Sequence, residues 1–310
     1  MSPAIEIYEN ARKRGYFYIG TKIYKVKDED EFNRLITKDV EWLDIEKAGG
    51  AFILDEDGVY KYDLTFYKME DEYLVTSESS LDSEYPFVFE KIDKFLLLGV
   101  EGSETPKILE TELGIDVNIL DFKDVMTESY MEENIIISRY GFSGEFGYQF
   151  IGEKAIIENI REKLLSVDIN EIPKAIKEYI EFEVGYRSEN LKSRYSLNQL
   201  GLLWQIDIEK EYFVGKKSLL SDIQNEVQTI IGFKTSISTI TNGDRVYFEK
   251  KPVGEVIFVT EALSDTTIQK GLLLMDKEYA CSGLYLRFKN HENEIKTISS
   301  PYTVPFSWIG

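Results

Sequence analysis

Alternating apolar and polar positions predict a three-stranded antiparallel meander early in the chain. Its strands are AFILDED (51–57), VYKYDLTFYK (59–68) and YLVTS (73–77), separated by a turn at Asp57-Gly58 and by a second acidic turn. Because side chains alternate along a strand, the middle strand presents two sets of residues to opposite faces. The predicted sets are Tyr60, Tyr62, Leu64 and Phe66 on one face, and Lys61, Asp63 and Thr65 on the other. This pattern alone favours a solvated sheet face for Asp63.

A glycine-punctuated stretch, SRYGFSGEFGYQF (138–150), follows in the middle of the chain. The residues before it (134–140) form an apolar strand pattern that stops at Gly141, and a second strand carries Tyr148 and Phe150 onward. A helix is predicted from about residue 152 to about Ser166. Glycines at this spacing supply positive φ angles or close backbone approach, so they indicate a tightly shaped turn. Spacing alone favours an ordinary strand–turn–strand–helix corner.

Further elements complete an α+β pattern. A strand over 16–26 is interrupted at Gly20, and Asp28 is a candidate N-cap for the helix that follows. Alternating helices and strands from about Gly49 to Tyr130 favour a ferredoxin-like unit. A helix over 171–183 carries an apolar stripe that ends, unusually, at Glu183. From about residue 226 only short strands follow, which is typical of a small barrel.

Composition narrows the classes of function. The chain has 310 residues, with 36 basic and 56 acidic side chains for a net charge of −20, and such a field repels nucleic acid. No apolar run reaches the roughly 18 residues of a membrane span, so we expect a soluble, cytoplasmic protein. A single cysteine, Cys281, and a single histidine, His291, exclude an intrachain disulfide and a Cys/His zinc set. An enzyme of this composition would depend on carboxylates, tyrosines, backbone groups or a bound cofactor.

The glycine-punctuated stretch resembles the RTGYTGEDGFE segment of the aminomethyltransferase family, which contains the tetrahydrofolate-binding T-protein of glycine cleavage. The meander resembles the family's LNExGGxxDDLxVxRLxEDxFLLVxNA segment, and IEFEVG (180–185) stands where the family has LRLEAG. The segment 196–220 resembles PxEAGLxWxVxxxKxxFIGxxAL, and 251–275 resembles GxxVGxVTSGxxSPTLxxxIALAxV. These similarities follow the family's order from roughly Asp30 to Phe306.

The resemblance implies an α+β fold, the three-lobed cloverleaf of the aminomethyltransferase folate-binding fold with a small C-terminal β-barrel. Folate would enter a central channel between the lobes. The implied domains are a discontinuous folate-binding domain (1–48 with 131–225), a ferredoxin-like domain (49–130) and the barrel (226–310). No metal site is implied.

The resemblance also implies the site residues. Asp63 stands at the position of the catalytic carboxylate, and Glu183 at that of the acid that binds the pterin ring. A carboxylate suits two adjacent N–H donors of a pterin, because it can accept both. Further folate-binding positions are Lys210, Ser77, Val75 and Tyr62. A surface lysine is an equal alternative for Lys210.

The chain departs from the family at several of these positions. The family's paired aspartates are Tyr62-Asp63 here, with one extra residue after Gly58, and we align on Asp63 because the downstream residues then stay in register. Ser77 replaces an asparagine, and Glu181 replaces an arginine. The longer segment that the family carries ahead of Tyr16 is missing or shortened here. That segment helps to wall the folate site in the family, so the difference concerns the choice of substrate.

Three functions remain open. The first is a tetrahydrofolate-dependent one-carbon transferase that moves an aminomethyl group from lipoylated H-protein to tetrahydrofolate and releases ammonia. The second is a tetrahydrofolate-dependent demethylase of a small O-, N- or S-methyl donor. The third is a folate-binding paralogue without transferase activity. An iron–sulfur maintenance role is disfavoured, because the KGCYxGQE motif of that branch reads EKEYFVGKK here and lacks its cysteine.

Overall fold

The structure is a computed structural model that describes residues 3–20, 22–260, 263, 268–288 and 294–309. The helices are α1 (Pro3–Lys13), α2 (Glu29–Leu35), α3 (Leu81–Glu84), α4 (Thr105–Ile108), α5 (Lys154–Ser166), α6 (Lys174–Glu183), α7 (Glu189–Lys192) and α8 (Lys216–Asn225). A π-helical turn (Leu109–Leu113) and short 3₁₀ turns (Leu203–Gln205, Lys277–Tyr279 and Phe306–Trp308) complete the described helical elements. Within these described ranges, no helix is both long and apolar enough to span a membrane.

The strands form two five-stranded antiparallel sheets and a closed barrel. One sheet has the order β1-β7-β10-β9-β8 and the other β3-β4-β5-β2-β6, while the barrel runs β11-β14-β13-β12-β15-β16. Their bounds are β1 (Tyr16–Gly20), β2 (Lys22–Val26), β3 (Lys47–Leu54), β4 (Tyr60–Lys68), β5 (Tyr73–Ser77), β6 (Phe89–Lys91), β7 (Phe95–Glu101), β8 (Val125–Tyr130), β9 (Glu133–Ser138), β10 (Gly147–Glu153), β11 (Gln228–Thr235), β12 (Arg245–Phe248), β13 (Lys251–Val259), β14 (Gln269–Asp276), β15 (Tyr285–Phe288) and β16 (Glu294–Ile298). The α+β class and the C-terminal barrel are confirmed.

The chain divides into two compact units. The barrel unit comprises Met1–Glu9, Ala175–Leu203 and Leu220–Val304, and the two-sheet unit comprises Asn10–Lys174, Trp204–Leu219 and Pro305–Gly310. The segment 49–130 does not form a sheet of its own. It contributes β3 to β6 to one sheet, together with β2, and β7 and β8 to the other. The division into three domains stays a prediction.

Local sequence explains where two of the helices begin. Asp28 caps α2 as predicted, because its carboxylate accepts a hydrogen bond of 3.0 Å from the backbone N–H of Glu31. The helix predicted from residue 171 begins instead at Lys174. Pro173 accounts for the difference, since a proline disfavours helical backbone at the residue before it.

The glycine-punctuated stretch is a closely packed turn between β9 and β10, followed by α5, as the pattern predicts. A Cβ on Gly147 would lie 2.6 Å from the Cα of Gly141, so both positions require glycine for close backbone approach. The buried carboxylate of Glu101 accepts hydrogen bonds from the backbone N–H groups of Phe142 and Ser143, the latter at 2.8 Å. The most recognisable motif of the sequence therefore has a structural role.

A β-bulge reshapes the meander at the start of β4. Leu54 pairs with Tyr60 and Ile53 with Tyr62, so Lys61 has no partner position on β3. Beyond the bulge the register is regular, with Phe52 opposite Asp63. A bulge inserts one residue and reverses the alternation of side chains across it. The bulge lies where the sequence has its extra residue after Gly58.

Candidate functional site

The Asp63 carboxylate lies on β4 in the two-sheet unit, beside two aromatic residues. The Tyr60 hydroxyl donates a hydrogen bond to Asp63 Oδ1, and the Tyr60 ring makes an edge contact with Phe52, whose centroid is 6.0 Å away. The sequence prediction that Tyr60 shares a face with Tyr62 and Leu64 is therefore wrong, because the bulge at Lys61 turns Tyr60 onto the Asp63 face. Asp63 is half-buried. It is a partly exposed carboxylate held by a buried tyrosine, not a fully solvated one.

Ser77 and Val75 lie on β5, next to β4. The Ser77 hydroxyl donates to the backbone carbonyl of Asp63 at 2.8 Å, so it fixes the main chain that carries the carboxylate. Val75 is fully buried in the core of this sheet, between β4 and β2. Its side chain packs in the hydrophobic core and is not exposed to solvent.

Tyr62 lies on the other side of β4 from Asp63, since it packs against the hydrophobic core with Leu64. Its hydroxyl donates to Glu84 Oε2 at 2.6 Å, and the Lys61 ammonium also pairs with that carboxylate. Hydrogen bonds from Lys61 and Tyr62 hold the pKa of Glu84 below its usual value. The hydrogen bond to Glu84 raises the pKa of Tyr62. The position at which the family has an aspartate is thus a neutral donor here.

Lys210 is buried against the end of α2 in the two-sheet unit. Its ammonium donates to three backbone carbonyls, those of Asn33, Ile36 at 2.9 Å and Lys38 at 2.7 Å. A lysine has three N–H donors, so these contacts engage all of them. The side chain is 7% exposed, and burial lowers its pKa to about 8, with nearby acidic groups opposing the shift. The surface-lysine alternative is therefore wrong, and the folate-binding role of Lys210 stays a prediction.

Glu183 ends α6 in the barrel unit and is 1% exposed. Its Oε2 accepts a hydrogen bond of 2.6 Å from the Tyr8 hydroxyl, and its Oε1 pairs with the Lys270 ammonium at 2.5 Å. Its backbone carbonyl accepts from the N–H of Tyr302 at 2.6 Å. A carboxylate at the end of an apolar stripe is thus explained, because both of its oxygens have donors inside the unit.

The structure brings Asp63, Ser77, Val75 and Tyr62 onto two adjacent strands, whereas Glu183 belongs to the other compact unit. Sequence reasoning missed Tyr60, Tyr8 and Lys270, which hold the two carboxylates. Tyr60 could have been found only by placing the extra residue after Gly58 in a bulge. Cys281 is exposed, and His291 lies outside the described residues.

Comparison with known proteins gives consistent matches in sequence and fold. Aminomethyltransferases from Thermosipho melanesiensis and Alkaliphilus metalliredigens are 23% and 25% identical over 283 and 287 residues, or 84% and 83% of this chain and 77% and 76% of theirs. One from Lysinibacillus sphaericus is 21% identical over 292 residues, covering 86% of this chain and 79% of its own. The crystal structure of glycine cleavage system aminomethyltransferase T from Bartonella henselae superimposes with a TM-score of 0.81 at 16% identity, covering 97% of this chain and 90% of that one. No family model matches the chain. These matches confirm the resemblance to aminomethyltransferases that the sequence motifs indicate, and the structural match confirms the fold.

Proposed function

We propose that this chain, a member of the aminomethyltransferase family, transfers a one-carbon group to tetrahydrofolate. The form of the reaction we favour is that of the glycine cleavage T-protein, with an aminomethyl group carried by the lipoyl arm of an H-protein. The observation that carries the proposal is the Asp63 carboxylate, partly exposed and oriented by the Tyr60 hydroxyl. Relatives named aminomethyltransferase that match most of the chain support this choice of chemistry.

Asp63 would act on the folate nitrogen that attacks the one-carbon unit. Positive charge develops at the iminium-like carbon and at the attacking nitrogen, and a fixed carboxylate stabilises it. The same carboxylate can accept the proton that the nitrogen loses. Tyr60 would orient Asp63 without touching the substrate. Ser77 would hold the strand beneath it.

The proposed folate contacts separate into two groups. Glu183 is the proposed acceptor for the pterin's amide and amino N–H groups, and Tyr62 remains a candidate contact. We propose that Ser77, Val75 and Lys210 support the site without touching folate. Ser77 and Lys210 donate hydrogen bonds to backbone carbonyls, and Val75 is fully buried.

The test uses purified protein with tetrahydrofolate and aminomethylated H-protein, and it measures ammonia release. Asp63→Asn should lower the rate by about 100-fold, the scale of one acid–base group, while folate affinity changes little. Asp71→Asn is the matched control, since Asp71 lies in the exposed turn after β4 and should leave the rate unchanged. If Asp63→Asn abolishes folate binding instead, the role given to Asp63 is wrong.

A tetrahydrofolate-dependent demethylase of a small O-, N- or S-methyl compound is the second candidate. The observation that favours it is the Tyr62–Glu84 pair, which leaves a neutral hydroxyl where the glycine-cleavage pattern has a carboxylate. Methyl transfer from a small donor without ammonia release would support it. Folate binding without turnover of either donor class would identify a binding paralogue.

A further inference from the structure

Each oxygen of the buried Glu183 carboxylate accepts from a side chain of its own unit. Tyr8 of α1 occupies Oε2 at 2.6 Å, and Lys270 of β14 occupies Oε1 at 2.5 Å. Glu183 is 1% exposed and Tyr8 is 8% exposed. A ligand therefore has no path to either oxygen unless one of the two donors moves away.

The two donors differ in how strongly they bind. Lys270 and Glu183 form an ion pair in which Glu183 is buried and Lys270 is partly exposed, and separating them would leave the buried carboxylate without its countercharge. The Tyr8 hydroxyl is a neutral donor, so its hydrogen bond to the carboxylate is the weaker of the two. A ligand N–H group would therefore displace the Tyr8 hydroxyl rather than the Lys270 ammonium.

We infer that the Tyr8 hydroxyl is a built-in substitute for a ligand N–H donor on Glu183, and that the ligand displaces it. This inference rests on the proposed function, since the ligand chemistry is the paired N–H edge of a pterin. The Tyr8 ring also makes an edge contact with Tyr179, with centroids 5.5 Å apart. That contact keeps the hydroxyl over Oε2 when no ligand is bound, and every binding event must break the Tyr8 hydrogen bond.

The test is a calorimetric titration of Tyr8→Phe with 5-formyltetrahydrofolate. The substitution keeps the ring and removes only the competing hydroxyl, so folate should bind about 10- to 100-fold more tightly, the equivalent of one hydrogen bond to a charged group. Tyr302→Phe is the matched control. It also removes a tyrosine hydroxyl from the barrel unit, one that accepts from Arg187 at 3.1 Å, and it should leave the affinity unchanged.

A second measurement separates displacement from simple support of Glu183. Without folate, Tyr8→Phe should melt at a lower temperature than the wild type, because Oε2 has lost a donor. At saturating folate the two melting temperatures should converge, because neither bound form contains the Tyr8 hydrogen bond. Equal or weaker folate binding by Tyr8→Phe, or a difference in melting temperature that persists with folate, overturns the inference alone. Absence of folate binding by both proteins overturns the inference and the proposed function together.

Discussion

Replacing Lys210 with methionine removes the ammonium but keeps an unbranched side chain of similar length. Three backbone carbonyls at the end of α2 then lose their donor. Hydrogen bonds to a charged group contribute roughly 1.5–3 kcal/mol each. Burial of the charge opposes this stabilisation. The lowering of the Lys210 pKa from 10.5 to about 8 corresponds to a desolvation cost of roughly 3 kcal/mol. We expect Lys210→Met to lower the free energy of unfolding by about 3 kcal/mol at pH 7.

The assay is urea-induced unfolding followed by circular dichroism, with Lys217→Met as the control. Lys217 lies on α8 with its side chain exposed, so its removal should change stability by less than about 0.5 kcal/mol. Folate affinity should be the same in Lys210→Met and in the wild type. The reasoning fails if Lys210→Met unfolds like the wild type and binds folate at least ten-fold more weakly, because Lys210 would then be a ligand contact.

The pKa of Lys210 also predicts a pH dependence. Its value in the folded protein, about 8, lies below the ordinary 10.5, so between these values the unfolded chain binds more protons than the folded one. Stability from this group therefore rises as pH increases through that window. The difference in unfolding free energy between wild type and Lys210→Met should widen from pH 7.5 to pH 10. A constant difference would contradict the lowered pKa.

Three further substitutions test other contacts. Tyr60→Phe should lower the transfer rate about ten-fold and shift the pH–rate profile, because the Asp63 carboxylate loses the hydroxyl that orients it. Folate affinity should stay unchanged, and an unchanged pH–rate profile would contradict this role. Glu183→Ala should destabilise the protein by about 2–3 kcal/mol in urea unfolding, because it leaves the partly buried Lys270 ammonium without its carboxylate, and adding Lys270→Met should recover part of the loss. An additive double variant would refute the coupling. Gly147→Ala should lower the free energy of unfolding by about 1–3 kcal/mol, because the new Cβ would contact the Gly141 backbone. If thermal unfolding shows no change beyond its error, the turn can relax to accept the methyl group.

Local patterns predicted much of the fold, and long-range contacts explain what they missed. The meander, the glycine-punctuated turn and the barrel all show in the sequence because their periodicity and turn residues are local signals. The prediction for the face of Tyr60 is wrong, because one unpaired residue in a bulge reverses the alternation of side chains. The apolar–polar pattern of the strand does not show where such a bulge lies. Lys210 and Tyr8 act on partners far along the chain. No pattern within a short window can identify such partners.

The buried Glu145 in the glycine-punctuated turn has a consequence for how the protein is made. Its carboxylate pairs with Arg12 and accepts hydrogen bonds from the backbone N–H groups of Phe306 and Ser307, at 3.0 and 2.9 Å. The two-sheet unit thus includes residues from near the start and near the end of the sequence. During translation most of its residues leave the ribosome early, but the donors to Glu145 at Phe306 and Ser307 are synthesised only after the residues of the barrel unit. Until then the nascent unit keeps a charged group without its final partners, and it reaches its finished form only after the barrel residues have also been made.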